Sequence, residues 1–176
     1  MLLKPSSYLI LGMLERGVET GYDIKRAVDS STRLFWSASL AQVYPQLAAL
    51  EENGYVVSAD EPRGARPRKV YKLTEKGREA HGDWLRSERE PHLEFRDEGL
   101  LRLFFADGMN REEAIELVVR LRDQAEKFDR EFREGILPLA ESVGGFPSIV
   151  AREGTDYFAW RTRWFRDLEA ELRNVE

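Results

Sequence analysis

The chain contains no cysteine, which excludes disulfide bonds, thiolate nucleophiles and cysteine-ligated zinc. It has two histidines, His81 and His92, and their separation is not the i, i+4 spacing of a helical metal-binding pair. The sequence also lacks a glycine-rich phosphate loop, a serine nucleophile elbow and a metalloprotease motif. We therefore expect no enzymatic activity, no cofactor and no metal site.

Long apolar runs are missing as well. No stretch approaches the roughly 20 residues of a membrane-spanning helix. The first fourteen residues lack the charged region and small-residue cleavage site of a signal peptide. We expect a cytoplasmic protein without a membrane partner. Its 176 residues, 42% of them hydrophobic, can fill the core of one domain or of two small ones.

The charge is unevenly distributed. The whole chain carries 27 Lys and Arg against 32 Asp and Glu, a net charge of -5, which argues against a protein that coats nucleic acid along its length. Between Arg63 and Arg78, however, seven basic residues stand against Glu75 alone. The positive charge is concentrated in one short stretch.

A helix just before this stretch, Ser39–Gly54, has two different faces. Spacings of three and four predict one apolar face that packs into a core, formed by Leu40, Val43, Leu47 and Leu50. Ser39, Gln42 and Gln46 repeat on another face, and amide side chains can pair with base edges in the major groove. An ordinary solvated helix face would look the same, but the adjacent basic segment favours DNA.

The basic segment reads as a β-hairpin. Two strand-like runs, Tyr55–Ser58 and Lys69–Leu73, flank a loop punctuated by proline and glycine. The side chains expected to meet phosphates or a minor groove are Arg63, Arg66, Arg68 and Lys69. A helix that presents amides beside a basic hairpin is typical of a winged helix-turn-helix that binds double-stranded DNA. The rivals are a winged helix used for protein interaction, suggested by the negative net charge, and, more weakly, a small enzyme.

The other helices are bounded by capping residues. Ser6 or Ser7 is expected to cap the first helix, and Thr20 to cap a second that runs to about Leu34 with Tyr22 inward. After the hairpin, Thr74 begins a fourth helix that should end near Arg89. A local bend is expected at Pro45, which lies inside the third helix.

The second half of the chain is predicted to be wholly helical. The expected helices span residues 94–106, 110 to about 136, and about 148–174, with breaks at Pro138 and at Gly144-Gly145. The predicted fold is therefore mainly α, with a winged helix-turn-helix of three helices plus a β-hairpin wing in residues 1–90 and a helical domain in residues 91–176.

Aromatic residues mark a candidate ligand cavity. A wall for a flat ligand could be formed by Trp84, Tyr157, Trp160 and Trp164. The alternative is that these side chains simply bury surface between helices and subunits.

Two segments carry a family resemblance. Residues 39–56, with Tyr44-Pro45, Leu50-Glu51 and Gly54-Tyr55-Val56, and residues 66–77, with the sequence RPRKVYKLTEKG, resemble the signature of PadR-family transcriptional regulators. The resemblance implies a homodimeric repressor, joined mainly through the C-terminal helical domain, that reads a two-fold symmetric operator. It also implies a phosphate contact from the Tyr44 hydroxyl and release from DNA by a small aromatic effector.

Overall fold

The computed structural model describes residues 3–62, 68–91 and 93–174. The chain separates into two compact units, Met1–Pro91 and His92–Glu176. Within the described residues, no helix combines the length and the apolar character needed to cross a membrane.

The N-terminal unit consists of four helices and one hairpin. Its elements are α1 (Pro5–Glu15), α2 (Gly21–Asp29), α3 (Leu40–Glu52), β1 (Val56–Glu61), β2 (Arg68–Leu73) and α4 (Glu75–Leu85). The two strands are antiparallel, with Val56 opposite Leu73 and Glu61 opposite Arg68. The predicted mainly helical class with a single hairpin is confirmed.

The first two helices differ from the prediction at their ends. Helix α1 begins at Pro5 with Lys4 as N-cap, so the expected cap at Ser6 or Ser7 is wrong and both serines lie inside the helix. Helix α2 is capped by Thr20 as predicted but ends at Asp29, well before Leu34. It ends there because the hydroxyls of the two following serines bond back to the last carbonyls of the helix.

Helix α3 packs its apolar face into the core of this unit. The core consists of the buried side chains of Tyr8, Ile10, Leu11, Leu14, Ile24, Val28, Val43, Leu47, Leu50, Val56 and Tyr71. Leu40 and Tyr22, both predicted to point inward, are 39% and 58% exposed. The helix continues through Pro45. Gly54 follows its end with a φ of 71°, the left-handed conformation that glycine adopts without strain.

The hairpin leads directly into α4. The Thr74 hydroxyl accepts a hydrogen bond from the Gly77 backbone N–H at 3.1 Å, as the sequence predicted. The same hydroxyl donates to the Gly54 carbonyl oxygen at 2.8 Å, which joins the start of α4 to the end of α3. Helix α4 ends at Leu85 and not near Arg89.

All the secondary-structure elements among the described residues of the C-terminal unit are helical. Its elements are α5 (Glu98–Phe104), a 3-10 turn (Ala106–Gly108), α6 (Arg111–Glu131), a π-helical turn (Phe132–Ile136), α7 (Leu137–Val143) and α8 (Gly145–Asn174). Helix α5 starts later than expected because the Asp97 carboxylate caps it, accepting from the Leu100 N–H at 2.9 Å. The predicted cap at Asn110 is confirmed.

The predicted break at Pro138 is wrong. A π-helical turn connects α6 to α7, and Pro138 occupies the first turn of α7, a position at which proline is common. The other predicted break, at Gly144-Gly145, is confirmed, and the two glycines have φ values of 73° and 64°. The main core of this unit lies between α6 and α8, where Phe165 is fully buried against Leu117, Val118 and Leu121.

Candidate nucleic-acid interface

The exposed face of α3 carries two of the predicted base-reading side chains. Val43, Leu47 and Leu50 are buried, so the opposite face, with Ser39 and Gln42, is turned to solvent. The Ser39 backbone N–H donates to Gln42 Oε1 at 2.9 Å, which fixes the amide at the N-terminus of α3. Among the described residues, the Gln42 Nε2 group has no hydrogen-bond partner. It remains a donor available to an acceptor outside the chain.

The third predicted base-reading side chain, Gln46, contacts α1. Its Nε2 donates to Ser6 Oγ at 3.0 Å, and Ser7 Oγ donates to its Oε1 at 2.6 Å. The amide thus connects α3 to the first turn of α1, with both of its polar atoms occupied. The sequence predicted a base contact for Gln46 from its repeat with Ser39 and Gln42. We leave Gln46 out of the proposed interface because its hydrogen bonds are satisfied within the fold.

Tyr44 lies over the start of α2. Its side chain is 48% exposed, and its ring is so close to Gly21 that a Cβ added there would lie 2.7 Å from the Tyr44 Cε1 atom. The Tyr44 hydroxyl has no hydrogen-bond partner within the described part of the chain. The absence of a side chain at Gly21 therefore leaves room for the Tyr44 ring.

Ion pairs hold the wing at the end of its strands that adjoins the loop. Arg68 Nε donates to Glu61 Oε2 at 2.8 Å, directly across the hairpin, and Arg68 Nη1 lies 3.9 Å from Asp23 Oδ2 on α2. The other predicted wing arginines, Arg63 and Arg66, lie outside the described residues. The sequence predicted Arg68 as a phosphate contact without these pairs. Because ion pairs at a protein surface are weak in water, the guanidinium can still exchange a carboxylate for a phosphate.

Lys69 is also paired. Its Nζ donates to Glu51 Oε2 at 2.9 Å and lies 5.3 Å from the centroid of the Tyr71 ring. The second oxygen of Glu51 accepts a hydrogen bond from the Ser58 hydroxyl on the opposite strand. We call these three residues, Glu51, Ser58 and Lys69, the Glu51 bridge. Sequence reasoning missed it because the partners are distant in the chain.

The bridge shifts two pKa values in opposite directions. The Ser58 hydrogen bond, followed by the Lys69 hydrogen bond, lowers the pKa of Glu51 from its ordinary value of 4.5. The hydrogen bond with Glu51 raises the pKa of Lys69 from 10.5. The carboxylate stabilises the fold above pH 4.5, and this contribution is lost as the pH falls through the lowered pKa. The Lys69 ammonium contributes fully to the stability of the fold below pH 10.5, and this contribution is lost as the pH rises through the raised pKa. At neutral pH both charges are present.

The rest of the basic cluster is partly engaged within the unit. Lys72 Nζ lies 3.8 Å from Glu19 Oε1, and Arg78 pairs with Glu75 in the same helix. Lys76 Nζ donates to a carbonyl oxygen at the end of α3 at 2.7 Å. Glu19 and Glu75 neutralise part of this positive charge. The Lys72 pair joins β2 to the residue before Thr20, and the Lys76 hydrogen bond joins α4 to the end of α3.

One of the four predicted effector residues, Trp84, lies in the N-terminal unit. Trp84 stacks on Tyr8, with ring centroids 4.9 Å apart and planes inclined by 5°. The two rings help to line a cavity of about 300 Å³ in the N-terminal unit, together with Met13, Phe35 and Trp36. The sequence gave no signal for this cavity because Tyr8 and Trp84 lie at opposite ends of the unit's sequence.

Two of the others are neighbours in the C-terminal unit. The ring centroids of Tyr157 and Trp160 are 6.0 Å apart, and both side chains border an open recess along α8. The Tyr157 hydroxyl accepts from Arg161 Nη1 at 3.1 Å. Trp164 packs edge-on against Phe165 and does not border that recess.

The N-terminal unit matches a known protein family. Residues 10–83 match the model of the transcriptional regulator PadR-like family. The negative transcriptional regulator PadR of Bacillus subtilis (strain 168) is 33% identical over 121 residues, which are 68% of this chain and 65% of that protein. The chain thus matches just under two thirds of the length of this relative.

Solved structures of Bacillus subtilis PadR have the same fold. The crystal structure in complex with operator DNA aligns with a TM-score of 0.85 at 25% identity, covering 96% of this chain and 99% of that one. The structure in complex with p-coumaric acid aligns with a TM-score of 0.70 at 25% identity, covering 98% and 99%. These alignments confirm the predicted winged-helix fold.

The matched family settles one prediction made from the sequence. Its members are transcriptional regulators and not enzymes, which confirms that no catalytic activity should be expected. Residues 10–83 of this chain match the PadR-like family of transcriptional regulators, and the chain shares the fold of Bacillus subtilis PadR.

Proposed function

We propose that this protein is a DNA-binding transcriptional repressor that recognises its operator through α3 and the hairpin wing of the N-terminal unit. The observation that carries the proposal is the two-faced α3. Its apolar face is buried, while Gln42 and Tyr44 offer an amide donor and a hydroxyl without partners in the described chain. The wing strand β2 carries Arg68 and Lys69. The sequence places Arg63 and Arg66 just before this strand. The Bacillus subtilis relative binds operator DNA with the same fold.

The proposed assembly is a homodimer formed through the C-terminal unit. This unit exposes large apolar side chains on several helices, including Phe104 at 77%, Phe146 at 80% and Trp160 at 51%. Monomeric proteins rarely leave so many large apolar groups in water. A second copy of the chain would cover them. A sedimentation mass equal to one chain at micromolar concentration would contradict this assembly.

A small aromatic effector is part of the proposal. Two aromatic surfaces are available for it: the Trp84 cavity in the N-terminal unit and the Tyr157–Trp160 recess in the C-terminal unit. The Bacillus subtilis relative binds p-coumaric acid. An effector releases DNA only if it binds the DNA-incompetent state more tightly than the competent one. Because the proposed target is DNA, we also propose that the protein is cytoplasmic.

Selection of binding sites from random duplexes tests the function. We expect enrichment of a two-fold symmetric sequence with half-site centres roughly 10 base pairs, or a multiple of this, apart. The net charge of -5 and the paired wing cations favour one rival, a winged helix that binds another protein. Equal recovery of all duplexes would support that rival and contradict the proposal.

The contact between Gly21 and Tyr44 gives a specific prediction. Gly21→Ala should displace the Tyr44 ring, since the new Cβ would lie 2.7 Å from Cε1. The ring is exposed and can rotate away, and alanine is a better helix former than glycine, so thermal stability should change little. Affinity for the selected duplex, measured by fluorescence anisotropy, should fall about fivefold, the scale of one lost hydrogen bond.

Tyr44→Phe is the matched control for that experiment. It keeps the ring and removes only the hydroxyl, so it separates ring position from the phosphate contact. If both variants bind the duplex as tightly as the wild type, Tyr44 does not belong to the interface.

A further inference from the structure

One carboxylate connects the end of α3 to both strands of the wing. Glu51 lies in the last turn of α3, and its two oxygens are divided between Ser58 on β1 and Lys69 on β2. Ser58 pairs with Tyr71 across the hairpin, and Lys69 pairs with Asp60. The Glu51 bridge therefore contacts the middle of the hairpin. This position lies between the end of the hairpin that leads into α4 and the segment that carries Arg63 and Arg66.

The position of this carboxylate is unfavourable by local rules. The carboxyl end of a helix carries partial negative charge, so an acidic side chain in the last turn is disfavoured unless it has partners. Here the partners are supplied by the wing. The Glu51 side chain is 33% exposed, whereas the neighbouring Glu52 is exposed and has no ion pair or hydrogen bond among the described residues. Glu51 and Glu52 thus carry the same charge in adjacent positions, and only Glu51 is connected to the hairpin.

We propose that Glu51 is a positioning residue for sequence recognition: it holds the wing at a fixed orientation relative to α3. The proposal rests on the proposed DNA-binding function. Wing cations and α3 side chains can bind the same duplex together only if the distance between them matches the DNA. A wing held in place beforehand loses less conformational freedom on binding. Lys69 then acts mainly through Glu51 and not as a free phosphate contact.

The sign of the effect separates positioning from simple electrostatics. Glu51→Gln removes a negative charge close to the proposed interface. If charge alone mattered, the variant would bind every duplex somewhat more tightly. If Glu51 positions the wing, the variant should bind the selected site less tightly while its binding to random duplexes stays the same or increases. The ratio of specific to non-specific affinity should therefore fall.

The experiment compares full-length Glu51→Gln with full-length Glu52→Gln. Both remove one charge at the end of α3, so electrostatic effects cancel in the comparison. We expect Glu51→Gln to reduce the ratio of specific to non-specific affinity roughly fivefold, within the range of known coupling mutations. Glu52→Gln should leave the ratio unchanged. Affinities for the selected and a scrambled duplex are measured by anisotropy, after thermal melts establish that each variant is folded.

A double-mutant cycle with Lys69→Gln completes the test. If Lys69 acts through Glu51, the double variant should lose no more specificity than the worse single variant. Additive losses, together with a salt-dependence slope lowered by about one in Lys69→Gln, would make Lys69 a direct phosphate contact and overturn the pairing.

Equal ratios in Glu51→Gln and Glu52→Gln would overturn the positioning role itself. A wild-type protein that fails to distinguish the two duplexes is a different outcome. That outcome would contradict the proposed function, and with it the positioning role of Glu51.

Discussion

Gly77→Ala is expected to destabilise the N-terminal unit by about 3 kcal/mol, at the upper end of overpacking effects. A Cβ at this position would lie 2.1 Å from the Tyr55 carbonyl oxygen and 3.1 Å from its carbonyl carbon. Backbone atoms cannot rotate away as a side chain does, so the start of α4 would have to separate from the hairpin. Because the hairpin depends on this contact, DNA binding should be lost at temperatures where the C-terminal unit is still folded.

Hydrogen exchange followed by mass spectrometry measures this effect unit by unit. Gly82→Ala is the matched control, because it lies on the same helix and its added Cβ would approach only the flexible end of the Arg86 side chain, at 3.0 Å. That variant should be slightly stabilised, by up to about 1 kcal/mol from helix propensity. Equal protection of residues 5–85 in both variants would contradict the close packing at Gly77.

Removal of two wing arginines is the second large effect. The double variant Arg66→Ala/Arg68→Ala should lower the slope of log K against log salt by about two, one for each lost phosphate contact. The same counterion-release relation gives a loss of affinity of roughly 30-fold at 0.15 M salt. The loss should be similar on selected and random duplexes, because phosphate contacts carry no sequence information.

A double variant in the C-terminal unit controls for total charge. Arg102 and Arg120 each pair with a carboxylate one turn earlier in the same helix. Arg102→Ala/Arg120→Ala removes the same charge without touching the wing and should leave the salt slope unchanged. If the two double variants have equal slopes, the wing does not contact phosphates.

Local patterns predicted the fold well where one residue decides a boundary. Thr20, Thr74 and Asn110 cap helices as expected, and Gly54 ends α3 with a positive φ. The predictions failed where a residue has two plausible roles. Pro138 was predicted to break a helix, yet a π-helical turn precedes it and places it where helices tolerate proline.

The candidate site was only partly predictable, for a physical reason. Spacing on α3 places Gln42 and Gln46 on the same side, but it does not reveal that the serines of α1 occupy the Gln46 amide. Charge counting found the basic hairpin, but two of the acids that pair with its cations, Glu51 and Asp23, belong to other elements. Partners separated in sequence become visible only when the chain is folded.

The most direct test of the central claim uses the absence of cysteine in this chain. Ala41→Cys places a single thiol on the exposed first turn of α3 without altering the candidate base-reading side chains. A DNA-cleaving iron chelate attached there should cut a selected duplex at a few neighbouring base pairs in each half-site. The same chelate on Glu116→Cys in α6 should give no such localised cutting. Diffuse cleavage from position 41, or cleavage matching that from position 116, would contradict a recognition helix at α3.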